Sequence, residues 1–161
     1  MTEFVLFINK YRDRLVNHAF YRLGNLEEAE DVVQDVFVKI YTQKLFSYLE
    51  NPEHYLYKMT MNACLDFMRK NKLKLQMLQS FEVENQIISD NDVVQNLKIE
   101  EAFYRINNIL KTLPDKQAEV VRFRIIDELS FKEIAAILGK PESTIKSRFQ
   151  YAIKKLKKHE L

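Results

Sequence analysis

The sequence predicts an all-α protein made of two small helical domains, an N-terminal three-to-four-helix bundle and a C-terminal helix-turn-helix bundle, joined by a flexible linker. Three observations carry this. Apolar residues recur at spacings of three and four along most of the 161 residues, and only two glycines and three prolines interrupt them. The periodicity lapses over residues 73–95, KLQMLQSFEVENQIISDNDVVQ and its flanks, where the chain turns acidic. The formal charge of +2 is also uneven, with residues 1–72 neutral, 73–95 at −3 and 96–161 at +5. The expected boundaries are therefore 1–72, 73–95 and 96–161, and the basic excess marks the last part as the one suited to a polyanion.

In the first domain, residues 2–23 form an amphipathic helix capped by Thr2, with Phe4, Ile8, Tyr11, Leu15 and Ala19 on one face and Gly24 at its end. Asn25, with Glu28 three residues on, opens a second helix reaching about Leu45. Its inward residues are Ala29, Val32, Val33, Val36, Phe37, Ile40 and Tyr41. A loop rich in large side chains, Phe46 to Asn51, follows. Pro52 then starts a third helix with Leu56, Met59, Ala63, Phe67 and Tyr55 inward.

After the linker, Leu97, Phe103, Ile106, Ile109 and Leu110 mark a helix that stops at Leu113-Pro114, and Asp115 is expected to cap the next, Lys116 to Ile126. Ser130 and Glu133 then have the spacing of a capping box. Phe131, Ile134, Ala135, Ile137 and Leu138 give the helix they open an apolar face, and Gly139 accepts the left-handed conformation that ends it. Pro141 suits the first turn of a last helix, from about Glu142, with Ile145, Phe149, Ala152, Ile153 and Leu156 inward. This is the spacing of a helix-turn-helix.

Three surfaces stand out. The second helix carries Asp31, Gln34, Asp35 and Val38 at i, i+3, i+4 and i+7, an acidic stripe holding one valine, which suits a basic docking partner. The third helix carries Lys58, Asn62 and Arg69 with Tyr55 and Tyr57 nearby, a mixture of cations, an amide and rings that suits unpaired nucleotides. The last helix carries Ser143, Thr144, Lys146, Ser147 and Arg148, short hydroxyls and long cations able to read base edges and pair with phosphates.

No catalytic residue, metal site or cofactor is expected. His18, His54 and His159 stand apart in the chain, no carboxylates have ligand spacing, and there is no glycine-rich phosphate loop. The lone Cys64 reads as a small core residue of a reducing compartment. No run is long enough to cross a bilayer, and the short apolar stretch Phe4–Ile8 lacks a basic flank and a cleavage site, so a cytoplasmic protein without membrane insertion is expected.

Three segments together form a family pattern. Asn25 to Tyr41, NLEEAEDVVQDVFVKIY, His54 to Lys70, HYLYKMTMNACLDFMRK, and Leu110 to Lys158 resemble the extracytoplasmic-function sigma factors, the small two-domain members of the sigma-70 family. The resemblance implies a transcription-initiation subunit of bacterial RNA polymerase. It implies that Asp31, Gln34, Asp35 and Val38 meet the largest core subunit, and that Phe46 to His54 with Tyr55, Tyr57, Lys58, Asn62 and Arg69 take the unpaired −10 element of promoter DNA. Ser143, Thr144, Lys146, Ser147 and Arg148 would read the −35 duplex. An anti-sigma protein is a further partner that the resemblance admits.

The chain departs from the usual pattern at Tyr41 and Tyr55, where many relatives have tryptophan, at Glu142 and Ser143, and at Gln150 and Tyr151. A different class of protein fits the same helix-turn-helix, a transcriptional regulator whose N-terminal bundle dimerises or senses a ligand. Such a bundle has no reason to expose the acidic stripe.

Overall fold

A computed structural model describes residues 3–79 and 93–159 of the chain. Seven α-helices and no strand occur among the described residues: α1 (Glu3–Leu23), α2 (Leu26–Thr42), α3 (Pro52–Gln79), α4 (Val93–Leu110), α5 (Asp115–Val121), α6 (Phe131–Leu138) and α7 (Glu142–His159). A short 3₁₀ turn, Phe46–Tyr48, lies between α2 and α3, and a single π turn, Arg122–Ile126, extends α5. The Thr2 cap, the side chain of Leu97 and residues 80–92 of the expected linker lie outside what the structure describes.

Local signals fix several helix ends. Asn25 Oδ1 accepts from the Glu28 amide at 2.9 Å. Ser130 and Glu133 exchange both bonds of the capping box, at 3.1 and 3.2 Å. Gly139 sits at φ 65°, ψ 37°, and the amide of Lys140 returns to the Ala135 carbonyl at 3.1 Å.

Several expectations need correction. Helix α2 ends at Thr42 rather than Leu45, and Tyr41 is 70 % exposed, its ring stacked on Phe4 instead of entering the core. Helix α3 continues to Gln79, so residues 73–79 of the expected linker are helical. Asp115 does not cap; it is the first residue of α5, Pro114 holds the cap position, and the Gln117 and Ala118 amides bond the Pro114 carbonyl. An Asp inside the first turn still favours the helix dipole. Ile109 is 47 % exposed, since α4 buries only its Phe103 and Leu110 edge deeply.

The largest difference concerns α3. Its most deeply buried side chains are Leu56, Tyr57, Thr60 and Cys64, while Met59, Ala63 and Phe67 are only half-buried. The cause is a second neighbour. Helices α1 and α2 cover one side of α3, and α6 with the π turn covers the adjacent side. One apolar core thus runs through both halves, from Tyr11, Leu15, Val33 and Ile40 to Phe123, Ile134, Ile137 and Ile145. The C-terminal half also has a smaller core of its own, from Leu110, Leu113, Ala118, Val121 and Ala152.

Gly24 ends α1 at φ 78°, and the Phe103 ring of α4 packs against its bare Cα; a Cβ there would meet Phe103 Cε1 at 2.7 Å. Gly24→Ala is expected to lower the thermal midpoint by about 5 °C, from left-handed strain of about 1–2 kcal/mol and displacement of that ring. Gly139→Ala has equal strain but open space around it, so it should cost less. Equal midpoints in differential scanning calorimetry would refute the Phe103 contact.

Candidate nucleic-acid interface

The acidic stripe forms as its spacing requires. Asp31, Gln34 and Asp35 are exposed on one face of α2, and Val38 beside them is 53 % exposed. Opposite them, Val32, Val33, Val36, Phe37 and Ile40 anchor the helix in the core, which makes the stripe a rigid face. Partial burial, with Asp31 and Glu27 nearby, pushes the Glu28 carboxyl up from its ordinary value, a sign of crowded negative charge at this end of α2. Gln34 and Val38 also border a groove of about 450 Å³ between α1 and α2, shared with Ile8, Arg12 and Val16.

The third-helix set is brought together only in part. Lys58, Asn62 and Arg69 lie exposed along one edge of α3 with Leu65 between them, and Arg69 pairs with Asp66 at 2.9 Å. Tyr55 is half-buried near the start of the helix. Tyr57 does not belong to this surface: it is fully buried, edge-on to His18 and Phe123 at ring separations of 6.0 and 6.5 Å. Spacing along α3 alone puts it at the surface, because the C-terminal half that covers it is distant in the chain.

A different ring takes the open position. Tyr48, in the 3₁₀ turn before α3, is 82 % exposed, while neighbouring Phe46 is held by Phe4 and Phe7 at 5.4 and 5.0 Å. The loop's wealth of aromatics signalled this, but spacing could not say which ring points out.

The helix-turn-helix is complete. Ile134 and Ile137 of α6 and Ile145 of α7 are buried, and Phe131 meets Phe149 edge-on at 5.3 Å. Ser143, Lys146 and Ser147 are exposed on α7, Thr144 and Arg148 are half-buried, and Lys154, Lys155, Lys157 and Lys158 continue the cationic face. Glu142 pairs with Lys146 at 3.4 Å, one turn along. Arg148 also borders a cleft of about 560 Å³, together with Lys140, Arg122 and the α3 side chains Met61, Leu65 and Met68. The reading helix and the exposed edge of α3 therefore converge on one cleft.

Sequence reasoning missed a polar cluster beneath that cleft. His18, set down as isolated, bonds Asp127 at 2.7 Å across 109 residues and accepts from Arg22 at 2.9 Å, while Arg22 pairs with Glu119. A signal was present. His18 and Arg22 continue the apolar stripe Tyr11, Leu15 at spacings of three and four, so two polar side chains were directed inward. Among the described residues no group of His, Cys, Asp and Glu could hold a metal ion, and no helix is long and apolar enough to cross a membrane.

A family profile described as Sigma-70 region 2 matches residues 7–74, and one described as Sigma-70, region 4 matches residues 109–158. The chain is similar to the ECF RNA polymerase sigma factor SigW of Bacillus subtilis (strain 168), 30% identical over 94% of this chain and 85% of that one. It is also similar to RNA polymerase sigma factor SigV of the same organism, 28% identical over 84% of this chain and 80% of that one. Among solved structures, the sigma factor RpoE in a co-crystal with the anti-sigma factor NepR from Bartonella quintana shares the fold, with a TM-score of 0.68 and 22% identity over 98% of this chain and 96% of that one. The helix-turn-helix regulator with a sensor bundle is not favoured, because the N-terminal half matches a sigma region in its own right. The chain belongs to the extracytoplasmic-function sigma factors of the sigma-70 family, promoter-recognising subunits of bacterial RNA polymerase.

Proposed function

We propose that the two halves divide promoter recognition between them. The N-terminal domain, residues 1–72, docks on core polymerase through Asp31, Gln34, Asp35 and Val38. It takes the unpaired −10 strand along Lys58, Asn62 and Arg69, with Tyr55 and the exposed Tyr48 as stacking rings. The C-terminal domain, residues 96–161, sets α7 in the major groove of the −35 duplex, with Ser143, Thr144, Lys146, Ser147 and Arg148 toward DNA. Residues 73–95 span the distance between the two elements. The observation that carries this reading is the α2 stripe, open to solvent on a helix whose other face is locked in the core.

The chain acts without catalysis of its own and works where the polymerase is, in the cytoplasm. An anti-sigma protein is a further partner; the fold of this chain is shared by RpoE bound to NepR and by CnrH bound to the cytosolic domain of CnrY.

The test is transcription in vitro from fragmented genomic DNA with purified core polymerase. The expected result is initiation at a small set of start sites sharing −35 and −10 sequences, and no specific initiation would overturn the reading. A finer check concerns α7. Arg148→Ala is expected to weaken promoter binding and to reduce the slope of log affinity against log salt by about 1. An unchanged slope would remove Arg148 from the phosphate contacts.

A further inference from the structure

The two halves meet through polar atoms as well as apolar ones, and those atoms are arranged for one protonation state. Nε of Arg22 donates to Nε2 of His18 at 2.9 Å, so Nε2 is an acceptor and the ring proton sits on Nδ1, which donates to Asp127 Oδ2 at 2.7 Å. Arg22 continues to Glu119. The ends of this chain of bonds, Asp127 and Glu119, belong to the C-terminal half, and its middle belongs to α1. His18, Asp127 and Arg22 side chains are at most 3% accessible and Glu119 is at 17%. Phe123 stacks on the His18 ring at 5.2 Å and closes the cluster from the side of the π turn.

The hydrogen bonds run in the right direction only while His18 is neutral. Arg22 lies between Asp127 and Glu119, and Arg122 lies beside Asp115 of α5 at the cleft. From α3, Tyr57 and Cys64 add nothing, since burial pushes the Tyr57 phenol up from its ordinary value and the Cys64 thiol up to about 11. Arg14, Glu128 and Glu133 border Asp127 in a neighbouring recess, toward solvent, where water screens them. A second proton on His18 would set an N–H against the Arg22 N–H and place a charged ring out of water. Burial, helped by Arg22 and Arg122, holds His18 below its ordinary value although the Asp127 bond pulls the other way.

We propose that Asp127, His18, Arg22 and Glu119 form a proton-sensitive latch, which holds the C-terminal half closed over α3 while His18 is neutral and releases it when His18 is protonated. Release uncovers Tyr57 and frees the side of α7 that faces the cleft. The sign follows from the open state, in which a hydrated His18 returns to its ordinary value. The closed form has its full stability above about pH 6.5 and loses it as pH falls, with the opening constant rising by up to about tenfold per pH unit.

The experiment is an intramolecular distance measurement on the full chain, with energy-transfer dyes on Lys39→Cys and Lys155→Cys, two exposed positions on opposite halves. Cys64 is buried and does not compete for dye. Between pH 8 and pH 5 the protein should open by at least about tenfold in its equilibrium constant while its helical ellipticity stays constant. His18→Gln, which offers Asp127 an N–H and Arg22 an oxygen without titrating, should show no pH response. A flat wild-type trace, an equal response in His18→Gln, or opening accompanied by loss of ellipticity would each overturn the latch. Glu119→Gln gives a second arm at the partly hydrated end of the cluster: it should raise the open fraction at pH 8, and an unchanged fraction there would also overturn it. None of these measurements uses polymerase or promoter, so their failure leaves the promoter-recognition reading standing.

Discussion

Asp35→Arg is expected to weaken association with core polymerase by about 30-fold, roughly 2 kcal/mol, while leaving the fold unchanged. The effect is large because the substitution removes a negative charge from the centre of a stripe and inserts a positive one where a basic partner would sit. The fold is spared because Asp35 is exposed and the residues that hold α2, Val32, Val33, Val36 and Phe37, are on the opposite face. Surface substitutions of this kind change stability by no more than about 0.5 kcal/mol. The measurement is fluorescence anisotropy of labelled protein titrated with core enzyme, at two salt concentrations. The gap between wild type and variant should narrow at the higher salt, as expected of exposed charges. Equal affinities at low salt would take α2 out of the polymerase interface, and a lowered thermal midpoint would mean that the stripe is structural.

The features that the sequence foretold are those whose cause is local. Ser130 finds Glu133 three residues away, Gly139 takes its left-handed turn without consulting the rest of the chain, and the stripe from Asp31 to Val38 is a solvent face among the described residues. What was not foretold depends on contacts between the halves. The deepest side of α3 moved from Met59, Ala63 and Phe67 to Tyr57, Thr60 and Cys64, because a helix with two neighbours buries residues that one-sided periodicity assigns to the surface. Tyr57 left the nucleic-acid surface for the same reason. Asp127 meets His18 from the residue that follows the π turn at Arg122–Ile126, and an inserted turn of that kind has no signature in spacing. The helix-turn-helix was thus legible and the surface against which it closes was not.

That closing surface is where the largest loss of stability is expected. Arg22→Met keeps much of the side-chain volume but removes the guanidinium that serves three neighbours: it pairs with Glu119, donates to His18 Nε2, and lies over the Phe123 ring at 5.8 Å. Glu119 and the ring nitrogen would then be left without a donor in a site nearly closed to water. Breaking a buried pair from one side costs about 3–5 kcal/mol, which for a chain of this size is a fall of roughly 10 °C in thermal midpoint. The double variant Arg22→Met with Glu119→Gln separates the cost of a stranded charge from the cost of lost packing. If charge is the main term, the second substitution should restore part of the loss, a coupling of about 1–2 kcal/mol between two residues in contact. Strictly additive losses in calorimetry would show that Arg22 acts through its packing on Phe123 and not as the centre of an ionic bridge between α1 and α5.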